Sequence, residues 1–276
     1  MSVVRVGEIN CNTDWAGVVF DCNVVAHGAA RVHVMNDSSI DPLSAFRSTN
    51  TLGTLNLAKQ AAEFGVKRFI FISSIKVNGE FTVKGSSFKF DDTYVPDDPY
   101  GLSKYEAEVG LRKIAQETGM EVVIIRPPLI YGPGVKGNFV NMMRWLNKGV
   151  PLPLGAIHNI RSLVSIDNLV NLIVTCIEHP NAANQTFLVS DDEDISTSGL
   201  LSKLGLSLGV TNRLLPIPGT LLEFLAKLLG KYAVAQRLLG SLQVDITKTK
   251  EQLNWEPPFS IDEGLKKTVQ YFLEHP

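Results

Sequence analysis

The sequence predicts an α/β protein built on a doubly wound parallel sheet, with a smaller substrate-binding part behind it. Three observations carry this. Short β-branched runs alternate with longer helical patterns, the runs are continuously apolar as strands buried on both faces are, and capping residues fall where the helical patterns begin and end.

In chain order, Val3 to Val6 reads as a strand and Asn23 to His27 as a second. Pro42 to Phe64 follows as a helix, because Leu52, Leu55, Ala58 and Ala62 share a face and Gly65 closes it. Arg68 to Ser73 is a third strand, ending in Ser73-Ser74. Asp98 supplies a cap and Pro99 a first-turn proline for a helix to about Thr118, which Gly119 stops. Glu121 to Arg126 is the fourth strand. Beyond Gly132 proline and glycine become denser and the alternation loosens. Helical patterns then cover Asp167 to Glu178, Leu200 to Leu242 and Ile261 to Leu273, with Pro257-Pro258 before the last.

Composition narrows the function classes. Twenty-six Lys and Arg against 28 Asp and Glu leave a net charge of −2, with no basic excess to neutralise a nucleic-acid backbone. Cys11, Cys22 and Cys176 are an odd number at spacings that suit neither a disulfide framework nor a zinc site, which points to the cytoplasm and to no metal. Arg5 and Glu8 interrupt any signal-peptide core, and Leu214 to Leu229 is too short and too broken by Pro216, Pro218, Glu223 and Lys227 to cross a bilayer.

The chemistry concentrates in Tyr100-Gly101-Leu102-Ser103-Lys104, near the start of the capped helix. A spacing of four puts both side chains on one face, where an ammonium would favour the phenolate and lower the phenol's pKa. Tyr100 is thus a candidate general acid/base for a hydroxyl. Taken alone, Tyr-x-x-x-Lys is any exposed helix pair. The hydroxyls of Ser73-Ser74 at a strand's carboxyl end, where parallel sheets bind ligands, make the combination far more specific.

Further segments join it: Val6-Gly7-Glu8-Ile9, His27-Gly28-Ala29-Ala30, Asn50-Thr51-Leu52-Gly53-Thr54, Val77-Asn78-Gly79, Arg126-Pro127-Pro128 and Tyr131-Gly132-Pro133-Gly134. With these the chain resembles the extended short-chain dehydrogenase/reductase family, and within it the UDP-galactose 4-epimerase-like enzymes. The resemblance implies a Rossmann-like NAD(P)-binding domain over residues 1–131 and a mainly substrate-binding subdomain over 132–276, interleaved with the core. It makes Ser74, Tyr100 and Lys104 the catalytic triad, Lys104 also holding the nicotinamide ribose. Glu8 and Ile9 would flank the adenine, Gly28, Ala29, Ala30, Arg31 and Val32 would line the cofactor cleft with Asn50 and Ser73, and Pro128 would meet the nicotinamide. Asn138, Phe139 and Arg161 fall where relatives contact the sugar's diphosphate, which a guanidinium fork suits. A homodimer through the helices Pro42 to Phe64 and Pro99 to Thr118 is also implied.

Members of that family open with a strand and a glycine-rich turn that binds the cofactor pyrophosphate. Nothing before Val3 supplies it, so the sheet is expected to be N-terminally truncated; residues 1–276 alone are expected to bind NAD no tighter than millimolar and to show no epimerase or reductase activity, which an upstream extension bearing strand, glycine turn and helix would restore. Gly132-Pro133-Gly134-Val135-Lys136-Gly137 matches the letter of the fingerprint, but no ribose-binding acid follows and a proline stiffens the turn; the floor of the sugar site is the better reading.

The reaction follows from what stands after Ser74. Dehydratases of the family carry an acidic pair there and decarboxylases a glutamate, whereas this chain has Ile75 and Lys76. What survives is hydride transfer at a sugar C4 with NAD, NADP remaining open. The expectation is a 4-epimerase for a UDP-hexose or UDP-N-acetylhexosamine; the alternatives are a 4-keto-sugar reductase of surface-polysaccharide synthesis and an inactive relative acting as a binding protein. In the last case Leu221 to Leu229 would be a partner surface or a membrane-lying helix, although an ordinary core or lid helix is the plainer reading of the same spacing.

Overall fold

The computed structural model describes residues 3–32, 41–83 and 85–275. Its elements in chain order are α1 (Ala16–Val19), β1 (Val24–His27), α2 (Pro42–Phe46), a π-helical turn (Arg47–Gly53), α3 (Thr54–Glu63), β2 (Arg68–Ile72), a 3-10 turn (Ile75–Val77), α4 (Pro99–Thr118) and β3 (Glu121–Arg126). Then come β4 (Leu129–Tyr131), α5 (Asn138–Asn147), β5 (Leu163–Ser165), α6 (Ile166–Glu178), β6 (Thr186–Leu188), α7 (Thr197–Leu208), α8 (Gly219–Leu228), α9 (Tyr232–Leu239), α10 (Thr247–Leu253) and α11 (Ile261–Glu274). The main sheet has four strands in the order β1-β2-β3-β6, all parallel, and β4 and β5 form a separate parallel pair.

Alternate residues of the central strands explain why their sequences do not alternate. Phe69 and Phe71 of β2, with Val122 and Ile124 of β3, pack under α3 and α4 against Leu57, Ala58, Ala107 and Leu111. Ile70, Val123 and Ile125 face the other way, onto Leu169, Leu172 and Cys176 of α6. A third cluster joins Tyr131, Phe139 and Met143 to Leu201, Leu204, Leu265 and Val269, and forms the core of the C-terminal part.

The predicted boundaries of α4 hold: the Asp98 carboxylate accepts from the Gly101 amide at 3.1 Å, and Gly119 closes the helix with φ of 77°. Elsewhere the structure corrects the reading. Val3 to Val6 is irregular chain with no ladder partner among the described residues. The helix read over Pro42 to Phe64 is interrupted by the π turn, where a Cβ on Gly53 would lie 2.8 Å from Cγ2 of Ile9. That glycine lets the N-terminal segment cross directly over the helix. The strands β4, β5 and β6 are three residues each, too short to carry a period of their own.

Candidate active site

Ser74, Tyr100 and Lys104 are brought together at the carboxyl end of β2. Ser74 leaves the strand with extended backbone and caps the 3-10 turn, its hydroxyl accepting from the Lys76 amide at 3.3 Å. The Ser74 hydroxyl also hydrogen-bonds Tyr100, which lies edge-on to Phe46 with ring centroids 6.0 Å apart. Lys104 is 1% exposed; its Nζ donates to the Ile72 carbonyl at 2.8 Å and sits 4.5 Å from the centre of the Phe71 ring.

The electrostatics differ from the spacing argument. Burial pushes the Tyr100 phenol above its ordinary range, and Asp98 adds to this, while the Ser74 hydrogen bond pulls the other way. The neighbouring ammonium does not reverse the balance, because it is turned onto the end of β2 rather than onto the phenol. Burial lowers Lys104 itself from 10.5 to about 8, against the opposing pull of Glu108.

Glu108 was not singled out by its sequence, yet it organises this end of the sheet. It is fully buried and accepts from Ser73 Oγ at 2.6 Å, from Arg126 Nε at 2.9 Å and Nη2 at 2.6 Å, and from Arg112 at 2.9 Å. Arg126 continues to the Asn78 side chain at 3.0 Å, and Asn78 to the Lys89 carbonyl at 2.6 Å. Burial by itself would raise the Glu108 pKa, but the bonds and charge of Arg126 hold it below the usual carboxylate value. The signal was present in the spacing, since Tyr100, Lys104 and Glu108 recur every four residues along one face of α4.

At the end of β1, Gly28 and Ala29 are exposed, Ala30 and Arg31 are half-buried and Val32 is exposed. Open space faces Gly28: the nearest atom to a Cβ built there is Ile72 Cγ1 at 3.9 Å. Asn50, fully buried on the π turn, clamps this segment by accepting from the Arg31 amide at 2.8 Å and donating to the Arg31 carbonyl and to Ser103 Oγ, each at 3.0 Å. Small residues beside a buried ammonium leave room for a flat, hydroxyl-bearing ligand. Ile9 rests on Gly53, one turn along from Asn50, while Glu8 is exposed and its carbonyl accepts from Thr13 Oγ1 at 2.7 Å. Pro128 is buried just past β3.

The residues expected around the sugar diphosphate lie in the C-terminal part. Asn138 is exposed at the first turn of α5, and Phe139 is 2% exposed, stacked on Tyr131 with centroids 5.7 Å apart. Arg161 is half-buried, and its Nη1 donates to the carbonyls of Arg237 and Gly240, both at 3.0 Å, at the end of α9. Burial lowers its pKa. The Gly132 to Gly137 segment joins β4 to α5, away from the four-stranded sheet; Gly132 is required there because a Cβ would lie 2.5 Å from Ile166 Cγ2. A polar network that the sequence reading missed fixes this region: the Tyr131 hydroxyl donates to Asp191 at 2.7 Å, which also accepts from the Ser165 amide and from Asn168.

Comparison with known proteins gives a consistent picture. The NAD dependent epimerase/dehydratase family model matches residues 7–190. A UDP-glucose 4-epimerase of Vibrio cholerae is 55% identical over 271 residues, which is 98% of this chain and 83% of that protein. The N-acetyl-alpha-D-glucosaminyl-diphospho-ditrans,octacis-undecaprenol 4-epimerase of Escherichia coli O157:H7 is 29% identical over 253 residues, 86% of this chain and 74% of that one. Among solved structures, UDP-glucose 4-epimerase of Thermotoga maritima with UDP-glucose superposes with a TM-score of 0.72 at 26% identity, covering 91% of this chain and 77% of the other.

Proposed function

Because the chain belongs to the NAD dependent epimerase/dehydratase family, we propose that it is a nucleotide-sugar 4-epimerase that interconverts UDP-hexoses at C4 with NAD as cofactor. The observation that carries this is the 55% identity, across 98% of the chain, to the Vibrio cholerae UDP-glucose 4-epimerase. The position after Ser74 agrees with it. Positions 75 and 76 themselves supply no carboxylate for an elimination: Ile75 is buried, and Lys76 is paired with Glu80 at 2.6 Å and Asp98 at 3.2 Å.

Bound NAD would supply hydride acceptor and donor chemistry at C4, and inversion would require the hydride to return to the opposite face of the sugar. Tyr100 would take the proton of the C4 hydroxyl as its phenolate, the form that burial disfavours and the Ser74 hydrogen bond favours, and would give it back from the phenol in the reverse half of the reaction, with Ser74 placed to hold the reacting oxygen. Lys104 has one of its three donors on the Ile72 carbonyl and two for the ribose diol. Gly28 to Val32, Ser73 and Pro128 would line the cofactor side, Asn50 holds the Arg31 backbone in place, and Glu8 and Ile9 would flank the adenine. Residues 1–131 are thus the cofactor part and 132–276 the sugar part, with Asn138, Phe139 and Arg161 on the diphosphate side. Arg161 must then divide its donors between the α9 carbonyls and the phosphates.

We assign the protein to the cytoplasm, which suits its three free cysteines, and to a homodimer through Leu52 of the π turn and Val109 of α4, 48% and 49% exposed. Sedimentation at micromolar concentration should show a dimer. The activity test is chromatographic: UDP-galactose with the natural full-length protein and NAD should yield UDP-glucose. Absence of conversion, with NADPH-dependent reduction of a 4-keto nucleotide sugar instead, would replace the epimerase by a reductase.

A further inference from the structure

Helix α8 presents its apolar residues to solvent. Leu221, Phe224, Leu225, Leu228 and Leu229 are 46%, 59%, 44%, 69% and 73% exposed. Their spacing of i, i+3, i+4, i+7 and i+8 makes them one continuous stripe. No residue of α8 is buried, and Leu222, on the flank of the stripe, packs against the C-terminal core. The five side chains of the stripe are not members of the buried core clusters. A contiguous apolar face of this kind on a soluble surface marks a contact with something else.

The surrounding charge selects what it contacts. Residues 206–240 contain Arg213, Lys227, Lys231 and Arg237 against Glu223 alone, four positive less one negative, or +3, in a chain whose net charge is −2. Lys227 is exposed, paired with Glu223 at 3.4 Å and 4.7 Å from the centre of the Tyr232 ring, and Lys231 beyond it is exposed. A second copy of the chain docked on this face across a two-fold axis would bring two such basic rims together, which is unfavourable. An anionic bilayer surface uses the same lysines attractively, and it accepts a stripe without a matching groove. The helix is ten residues long, and no helix among the described residues is long and apolar enough to cross a membrane.

We propose that α8 is a membrane-surface helix, lying in the plane of a bilayer that carries anionic phospholipid, with Leu221, Phe224, Leu225, Leu228 and Leu229 dipped below the headgroups and Lys227 and Lys231 at their level. The protein would then work while resting on a membrane face. The test is co-sedimentation of the full chain with vesicles of phosphatidylglycerol and phosphatidylcholine, and with phosphatidylcholine alone. Binding is expected on the anionic vesicles and is weakened by salt. Leu228→Gln with Leu229→Gln should lower the partition coefficient at least about tenfold, and Lys231→Gln about fivefold, with epimerase activity in solution unchanged. Failure of the wild-type chain to bind anionic vesicles overturns the proposal, as does equal binding by the double leucine variant. So does a shift of that variant from dimer to monomer in sedimentation, which would make the face a contact between copies.

Discussion

Helices α4 and α8 both invert the rule that apolar residues go inside, and they do so in opposite senses. Along one face of α4, Lys104 and Glu108 are buried within the carboxyl edge of the sheet, with Tyr100 one turn earlier. Along α8, five apolar side chains are turned to water. Burying charge costs stability unless every group is paired, and the pairing around Glu108 is dense: Ser73, Arg112 and Arg126 all donate to it. Exposing leucine costs little in folding but invites association. The first helix should therefore be sensitive in stability and turnover, and the second insensitive in both.

The largest effect is expected at Glu108. Glu108→Ala leaves Arg126 buried without its carboxylate and should destabilise the protein by about 3–5 kcal/mol, whereas Glu108→Gln, which keeps an acceptor, should be milder. Urea unfolding of both variants measures it, and equal midpoints for Ala and wild type would remove the contrast between the helices.

Lys104 sharpens the comparison, since there burial opposes the fold. Its pKa is lowered from 10.5 to about 8, so below pH 8 both states hold the proton and the folded one bears the desolvation penalty. Between about 8 and 10.5 the folded protein releases the proton first, and the penalty is relieved as pH rises. Lys104→Met should therefore be more stable than wild type at pH 7, by up to about 3 kcal/mol, and lose that advantage above this window, while activity disappears. Unfolding series across that pH range test the sign. The smallest effect belongs to α8, where Leu228→Gln should change stability by no more than about 0.5 kcal/mol.

Much of the α4 side was legible because its signals are local. Asp98, Pro99 and Gly119 each act on the backbone within one turn, so the helix bounds could be read, and a four-residue spacing put Tyr100 and Lys104 on one face. The direction of the Tyr100 pKa was misread because spacing does not say where a flexible ammonium points, and Lys104 reaches the Ile72 carbonyl instead. The π turn was illegible for a different reason: it depends on Ile9 crossing Gly53, a contact between residues 44 positions apart (53 − 9). Strand Val3 to Val6 failed because a strand exists only with a partner, which four residues cannot announce. The stripe on α8 was visible as an amphipathic pattern, but periodicity alone does not tell which face looks outward.

Tyr100 moves the C4 proton in an NAD-dependent epimerisation, and one paired measurement tests this: the rate of UDP-galactose to UDP-glucose conversion by the natural full-length protein and by its Tyr100→Phe variant, each with NAD. Conversion by the wild type is expected, with a fall in kcat of at least about a hundredfold in the variant and an unchanged unfolding midpoint. A Tyr100→Phe protein that converts UDP-galactose at close to the wild-type rate would contradict it.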